Sequence, residues 1–480
     1  MPTPTSAART GRATRHRQVA VALAVGALGA LLTVPAGAAV AAPAGGTDAP
    51  VVLVGVTGLR WDDLGTLTTP ALWSMSRDGA VGTTVVRSVR PSACPADGWL
   101  AVSSGTRAGD QLASDGTCRS LREPATGADV PGWADYTTAA ADDSYSAHPG
   151  LLGDALVAGG ATVTGIGPGA AIALADTTGT PVGTHVRLPS RPAELTQLVD
   201  DALTASDLVV VDAGSVRDPG YATRDRGTSP TVDDSTIPVD ADGEALPPAL
   251  TPVDAVTEPT RSEQAQAIDA RVRAVVAGVR AGHPDATVLV VSLADSGRHP
   301  HLQLTIATGP AATGDGEYAT ALLGSRSTRQ NGYVQTTDVT PTLLSALGLR
   351  ADAPTGALVG APVTTVPGPD LASARVAQLV DADRQSQAVR PLIRPFYLWF
   401  VGINLVLYAL VTLGINGRVL GWFSSVLDRR WPGRRRAVVG PLGNPGLVLR
   451  PLRLAGVVVA AIPVSTFLAN LVPWWRASVR

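Results

Sequence analysis

Read only for hydrophobic and polar positions, the middle of the chain alternates short apolar, β-branched runs with longer stretches in which apolar positions recur every three or four residues. Val51–Val56, Thr162–Ile166, Leu208–Val211, Val288–Val291 and Leu302–Ala307 have the length and composition of buried strands. Pro70–Asp78, Leu151–Ala158, Ala193–Leu203 and Glu263–Ala281 have helical spacing, clearest in the last, where Ala, Ile and Val recur at three and four. Strand then helix, repeated, predicts an α/β fold: a central, mostly parallel sheet flanked by helices on both faces. Residues 219–259 are rich in Asp, Pro, Thr and Gly without periodicity and read as an insertion.

The ends have a different pattern. Arg9, Arg12, Arg15 and Arg17 precede an apolar run from Val19, then Pro35 and small residues to Ala42, the layout of a signal peptide; the run is also long enough to be an N-terminal anchor. Either way the domain of 43–350 is expected outside the cytoplasm. Residues 351–395 read as a linker and helical stalk, and 396–415, without charge and opening on Phe396, Tyr397 and Trp399, as a transmembrane helix. A second transmembrane helix is expected over 452–472, kinked at Pro463. The arginine-rich loop between them, 416–450, belongs in the cytoplasm by the positive-inside rule. A mean hydropathy of +0.18, with only 16% charged residues, agrees with a protein that meets lipid, and places it at the cell membrane.

Charge is segregated along the chain. Of 40 carboxylates only Asp428 lies beyond residue 395; of 38 basic residues, all arginine, four precede residue 43 and ten follow 395. That leaves 39 acids against 24 arginines between, a net charge of −15 which excludes nucleic acid as a partner of the domain. The absence of lysine excludes Schiff-base and P-loop chemistry. Cys94 and Cys118, the only cysteines, are expected to form a disulfide in an exported domain.

Ligands of open parallel sheets bind at the carboxyl ends of the strands. The polar residues expected there are Thr57, Asp62 and Asp63 after the first strand, Asp212 and Ser215 after the third, and Ser292, Asp295, His299 and His301 after the fourth. The glycines of Gly165, Gly167 and Gly169 follow a strand, but their spacing is not that of a dinucleotide turn and Pro168 removes an amide.

Four segments resemble the alkaline phosphatase superfamily of phosphatases, phosphodiesterases and sulfatases. VVLVGVTGLRWDDL resembles its opening strand and metal-binding turn, TPALWSMSRDGAVG its next helix, RPSACPADGWLAVSSGTRAG its nucleophile turn and helix, and NGYVQTTDVTPTLLSALGL the entry to its last helix. The likeness spans roughly residues 50 to 350. Carried over by position, it puts the metal-binding aspartate at Thr57, the nucleophile at Ala93 beside Ser92 and Cys94, the later Asp-His pair on Ser292–Ser296, where Asp295 stands without its histidine, and the last histidine near Asn331 or Gly332. The resemblance thus implies the fold with its metal and nucleophile positions degenerate, and a binding or scaffolding domain tethered at the cell envelope. The alternative is a metal-dependent hydrolase or transferase of phosphate or sulfate esters. The candidates are Thr57, Ser92 and Asp97 for catalysis, Asp62, Trp99 and Arg107 for ligand binding, and Asp212, Asp295 and His299 for metal. No cofactor is expected of a degenerate site; zinc or manganese is expected of an active one. The expected partners are the membrane and an envelope protein or glycan.

Overall fold

The computed structural model describes residues 49–114, 116–225, 258–313, 316–415 and 445–477, with 422, 425, 426 and 429 besides. The expected leader (1–42) and most of the 219–259 insertion and the 416–450 loop lie outside the described residues.

Strands β1 (Val51–Thr57), β2 (Ala80–Val85), β3 (Val163–Ile166), β4 (Thr184–Val186), β5 (Leu208–Ser215), β6 (Thr287–Ser292), β7 (Gln303–Thr308), β8 (Leu322–Ser325), β9 (Tyr333–Gln335) and β10 (Val363–Val366) form one 10-stranded sheet. Its spatial order is β10-β8-β2-β7-β6-β1-β5-β3-β4, with β9 beside β2. The helices among the described residues are α1 (Pro70–Asp78), α2 (Pro95–Ser104), α3 (Trp133–Asp142), α4 (Leu151–Ala158), α5 (Pro168–Leu174), α6 (Pro192–Ala205), α7 (Arg261–Gly282), α8 (Val339–Ala346), α9 (Ala372–Ile415) and α10 (Pro445–Ala469).

From β4 to β6 the sheet is parallel, as the strand–helix alternation predicts, with Val51 to Gly55 paired to Leu208 to Asp212 on one side and Thr287 to Val291 on the other. Beyond β6 it is mixed: β7 runs antiparallel to both β6 and β2. The cause is local, since residues 293–302 are too few for the helical crossover a parallel return requires.

Alternate residues of β1 face opposite cores. Val51 and Leu53 pack with α2, α4, α5 and α8 through residues such as Trp99, Leu152, Ile172 and Leu343. Val52, Val54 and Val56 pack with α1, α6 and α7 through Leu72, Val199 and Val272. α7 starts in a capping box, with Thr260 N–H donating to Glu263 at 2.7 Å and Thr260 Oγ1 accepting from Glu263 N–H at 3.3 Å. Every residue of α2 is buried, and Gly98 lies so close to the Leu293 carbonyl that a Cβ there would come within 2.3 Å of it.

The expected stalk and first transmembrane segment are one 44-residue helix, α9, continuous through Pro391 and Pro395. Its Ala372–Ala409 portion is long and apolar enough to cross a membrane; the apolar stretch of α10, Arg453–Ala469, is shorter. α9 is bolted to the domain at its start. The buried Arg375 guanidinium donates to the carbonyls of Pro369, Asp370, Ser76 and Arg77, Leu379 enters the core, and Asp383 accepts the Leu302 N–H and lies 2.8 Å from His301 Nδ1. After α10, Arg476 and the Trp475 indole both donate to Asp381 of α9, so α10 returns toward the domain alongside α9.

Candidate functional site

The C-terminal ends of β1, β5 and β6 lie side by side, and the segments that follow them converge with the start of α2 and α5. Arg261 ties the segments after β1 and β5 together: it donates to the Gly58 carbonyl at 2.7 Å, to both carboxylate oxygens of Asp63 at 2.6 Å and to Asp218 at 3.0 Å. Ser296 donates to the same Asp218 oxygen at 2.9 Å. Charge-assisted bonds of this kind fix geometry as well as adding energy.

Two carboxylates flank the end of β1. Asp212, at the end of β5, accepts the N–H of Gly169 at the head of α5 and of Gly214, both at 2.9 Å. Asp295, beyond β6, accepts the N–H of Ala93 at 2.8 Å and of His301 at 3.0 Å. Burial disfavours the charged form of both more than these amides favour it, pushing Asp212 up to about 6 and Asp295 up to about 7. Thr57, between them on β1, donates its hydroxyl to Ser215 Oγ at 2.7 Å. A cavity of about 290 Å³ opens here, with Thr57, Asp212, Ser215 and Asp295 in its wall, Pro95 and Pro168 from the helix heads, and Ser120, Leu121, Leu188, Arg217, Tyr221 and Thr223 around them.

The other sequence candidates fall elsewhere. Asp97 is wholly buried and closes the start of α2: it accepts from Cys94 N–H, Ser88, Arg90 and Asp110 N–H, all between 2.7 and 2.9 Å. Trp99 is fully buried behind the cavity, its ring seated where Gly55 and Gly169 have no side chain; a Cβ at either would come within 2.1 Å of the indole. Arg107 lies past the far end of α2, over the ring of Tyr145 at 5.5 Å. Asp62 is exposed in the turn after β1, 3.3 Å from Arg60 Nε. Ser92 is a half-buried turn residue outside the cavity wall, and His299 is exposed in the loop after β6.

Cys94 and Cys118 form the expected disulfide, with Cα atoms 5.5 Å apart. It brings the 118–123 segment to the head of α2, which places Ser120 and Leu121 in the wall; the cysteine pair was the sequence signal for them. Arg217, Tyr221 and Thr223 had no such signal, because they follow β5 in a stretch with neither periodicity nor a motif.

Among the described residues no three His, Cys, Asp or Glu side chains converge as a metal-holding group. Thr57 is neutral, both oxygens of Asp212 and of Asp295 already accept backbone amides, and no histidine lines the cavity. A metal pair of the hydrolytic kind needs several carboxylate and imidazole donors around two cations. This donor set does not fit one.

No protein-family model and no curated protein matches the chain. Solved structures are similar to it. An alkaline phosphatase superfamily protein from Vibrio parahaemolyticus is 15% identical over 66% of this chain and 69% of that one, with a TM-score of 0.39. Murine ectonucleotide pyrophosphatase/phosphodiesterase 5 is 13% identical over 51% of this chain, TM-score 0.27, and the chain spans 56% of its length. A sulfatase-like protein from Bacteroides fragilis is 13% identical over 69% of this chain and 78% of that one, TM-score 0.32. A structure of the alkaline phosphatase superfamily is thus among those similar to this chain.

Proposed function

We propose that this chain is a catalytically degenerate, membrane-tethered domain of the alkaline phosphatase-like kind, lying outside the cytoplasm and serving as a binding or scaffolding module of the cell envelope. The observation that carries this reading is the fate of the two strand-end carboxylates. Asp212 and Asp295 hold backbone amides of α5, of the segment before α2 and of the loop after β6, so they brace the pocket. Thr57, at the position where the resemblance implies a metal-binding aspartate, has a neutral hydroxyl turned to Ser215. Tethering is supported by the apolar Ala372–Ala409 helix and by its clasp on the domain through Arg375 and Asp383. The orientation follows from the arginines of 416–450, the membrane is the first partner, and an envelope protein or glycan is the second.

The test is metal analysis of the full chain in lipid nanodiscs together with turnover of an aryl phosphate and an aryl sulfate. The expected result is neither stoichiometric zinc or manganese nor turnover. Stoichiometric metal with activity that disappears in Asp212→Ala would overturn the reading in favour of a metal-dependent ester hydrolase.

A further inference from the structure

The wall of the strand-end cavity is built of hydroxyls in a definite order. Thr57 donates to Ser215 Oγ at 2.7 Å, and Ser120 donates to Thr223 Oγ1 at 2.8 Å. In each pair the second hydroxyl accepts a bond and, among the described residues, retains its own proton for a further partner. Ser215 is exposed and Thr223 half-buried, so both donors are open to a ligand. Tyr221, whose hydroxyl donates to Cys118 Sγ at 2.8 Å, adds an aromatic ring to the same wall, and Leu121 and Leu188 offer apolar surface.

Charge decides which ligand such a wall suits. Among the described residues Arg217 is the single cation in the cavity wall, against the carboxyls of Asp212 and Asp295; at Asp212, Glu123 adds to the negative field and Arg271 offsets the smaller part of it. Above about pH 7, where both carboxyls are ionised, an anionic ester would enter against that field. A wholly apolar ligand would strip water from the hydroxyl donors without replacing its bonds. A neutral, polyhydroxylated ligand satisfies both conditions, since its hydroxyls accept from Ser215 and Thr223 while its C–H faces cover the leucines and prolines. The volume, about 290 Å³, is at the small end of small-molecule sites and suits one or two rings.

We infer that this cavity binds an uncharged saccharide through the free hydroxyl protons of Ser215 and Thr223. The inference rests on the binding-module reading and specifies the chemical class of the ligand. It is tested by saturation-transfer NMR on the full chain in nanodiscs free of sugar detergents, with trehalose, maltose and N,N′-diacetylchitobiose as neutral probes and inorganic phosphate as competitor. Transfer to at least one disaccharide is expected, unaffected by phosphate and weakened about tenfold or more in the Ser215→Ala/Thr223→Ala double variant, the loss of two hydrogen bonds. Both positions are at the cavity surface, and unchanged tryptophan fluorescence confirms that the variant folds. Absence of transfer to all three probes, equal binding by the double variant, or displacement by phosphate would each overturn the saccharide inference. A binding failure without metal or turnover leaves the degenerate-domain reading standing, whereas metal with turnover removes that reading first.

Discussion

Raising the pH from 5 to 8 is expected to weaken this fold, and the two carboxyls beside β1 set the size of the effect. Asp212 at about 6 and Asp295 at about 7 hold their protons more tightly in the folded chain than an ordinary aspartate near 3.8 does. A group whose folded-state pKa is raised contributes stability that is fully present below the unfolded value and is lost as pH rises through the folded one. At pH 5 both are protonated when folded and ionised when unfolded; by pH 8 both are ionised in either state. At about 1.4 kcal/mol for each tenfold change in proton affinity, Asp295 loses on the order of 2.5 kcal/mol over this interval and Asp212 on the order of 1.5. The sum, about 4 kcal/mol, is a large part of a typical domain's stability. Urea titrations of the full chain in detergent at pH 5, 6, 7 and 8, followed by tryptophan fluorescence, measure it. Asp295→Asn isolates the larger contribution. It is expected to be less stable than the parent at pH 5, because an amide N–H replaces an oxygen that accepts from Ala93 or His301, and its stability is expected to vary with pH by less than half as much. Stability that stays flat or rises from pH 5 to 8, or an Asp295→Asn profile as steep as the parent's, would refute the assignment of these carboxyls as buried and proton-retaining.

Other consequences are as direct. Breaking Cys94–Cys118, by reduction or by a double Cys→Ser change, frees a loop of 24-residue separation, which corresponds to about 3 kcal/mol of chain entropy. The expected readouts are a lower urea midpoint and faster proteolysis near Ser120; an unchanged midpoint would count against the bridge as a brace. Gly55→Ala puts a methyl within 2.1 Å of the Trp99 ring, in the middle of a strand hydrogen-bonded on both sides. A loss of about 2 kcal/mol or more is expected, in the range of core overpacking, together with a shifted tryptophan emission; a variant as stable as the parent would show that the indole is not held there.

The chain's own pattern settled the parts of this protein that depend on local periodicity. Five apolar β-branched runs announced β1, β3, β5, β6 and β7, because a strand buried on both faces is apolar at most positions and shows no polar alternation. The helices α1, α4, α6 and α7 announced themselves by spacing. α2 did not, since a helix buried on every side has no polar face to set a period, and the short strands β2, β4 and β8 to β10 hold too few residues to show alternation. Cys94 and Cys118 were legible as a pair because the chain offers no other partner.

Tertiary structure alone decided what the strand-end residues do. In the sequence Asp97 reads as a candidate for catalysis and Asp212 and Asp295 as candidates for metal, all three being acids near turns. Only the fold shows that Asp97 closes the head of α2 under Arg90, while Asp212 and Asp295 reach across to amides 43 and 202 positions away. The same holds for Trp99, which occupies the space left by two glycines on different elements, and for Tyr221 and Thr223, which join the wall from a stretch without pattern. Periodicity records which side of an element faces the core. Which polar groups meet at a strand end depends on contacts distant in sequence, and those are fixed only when the sheet is assembled.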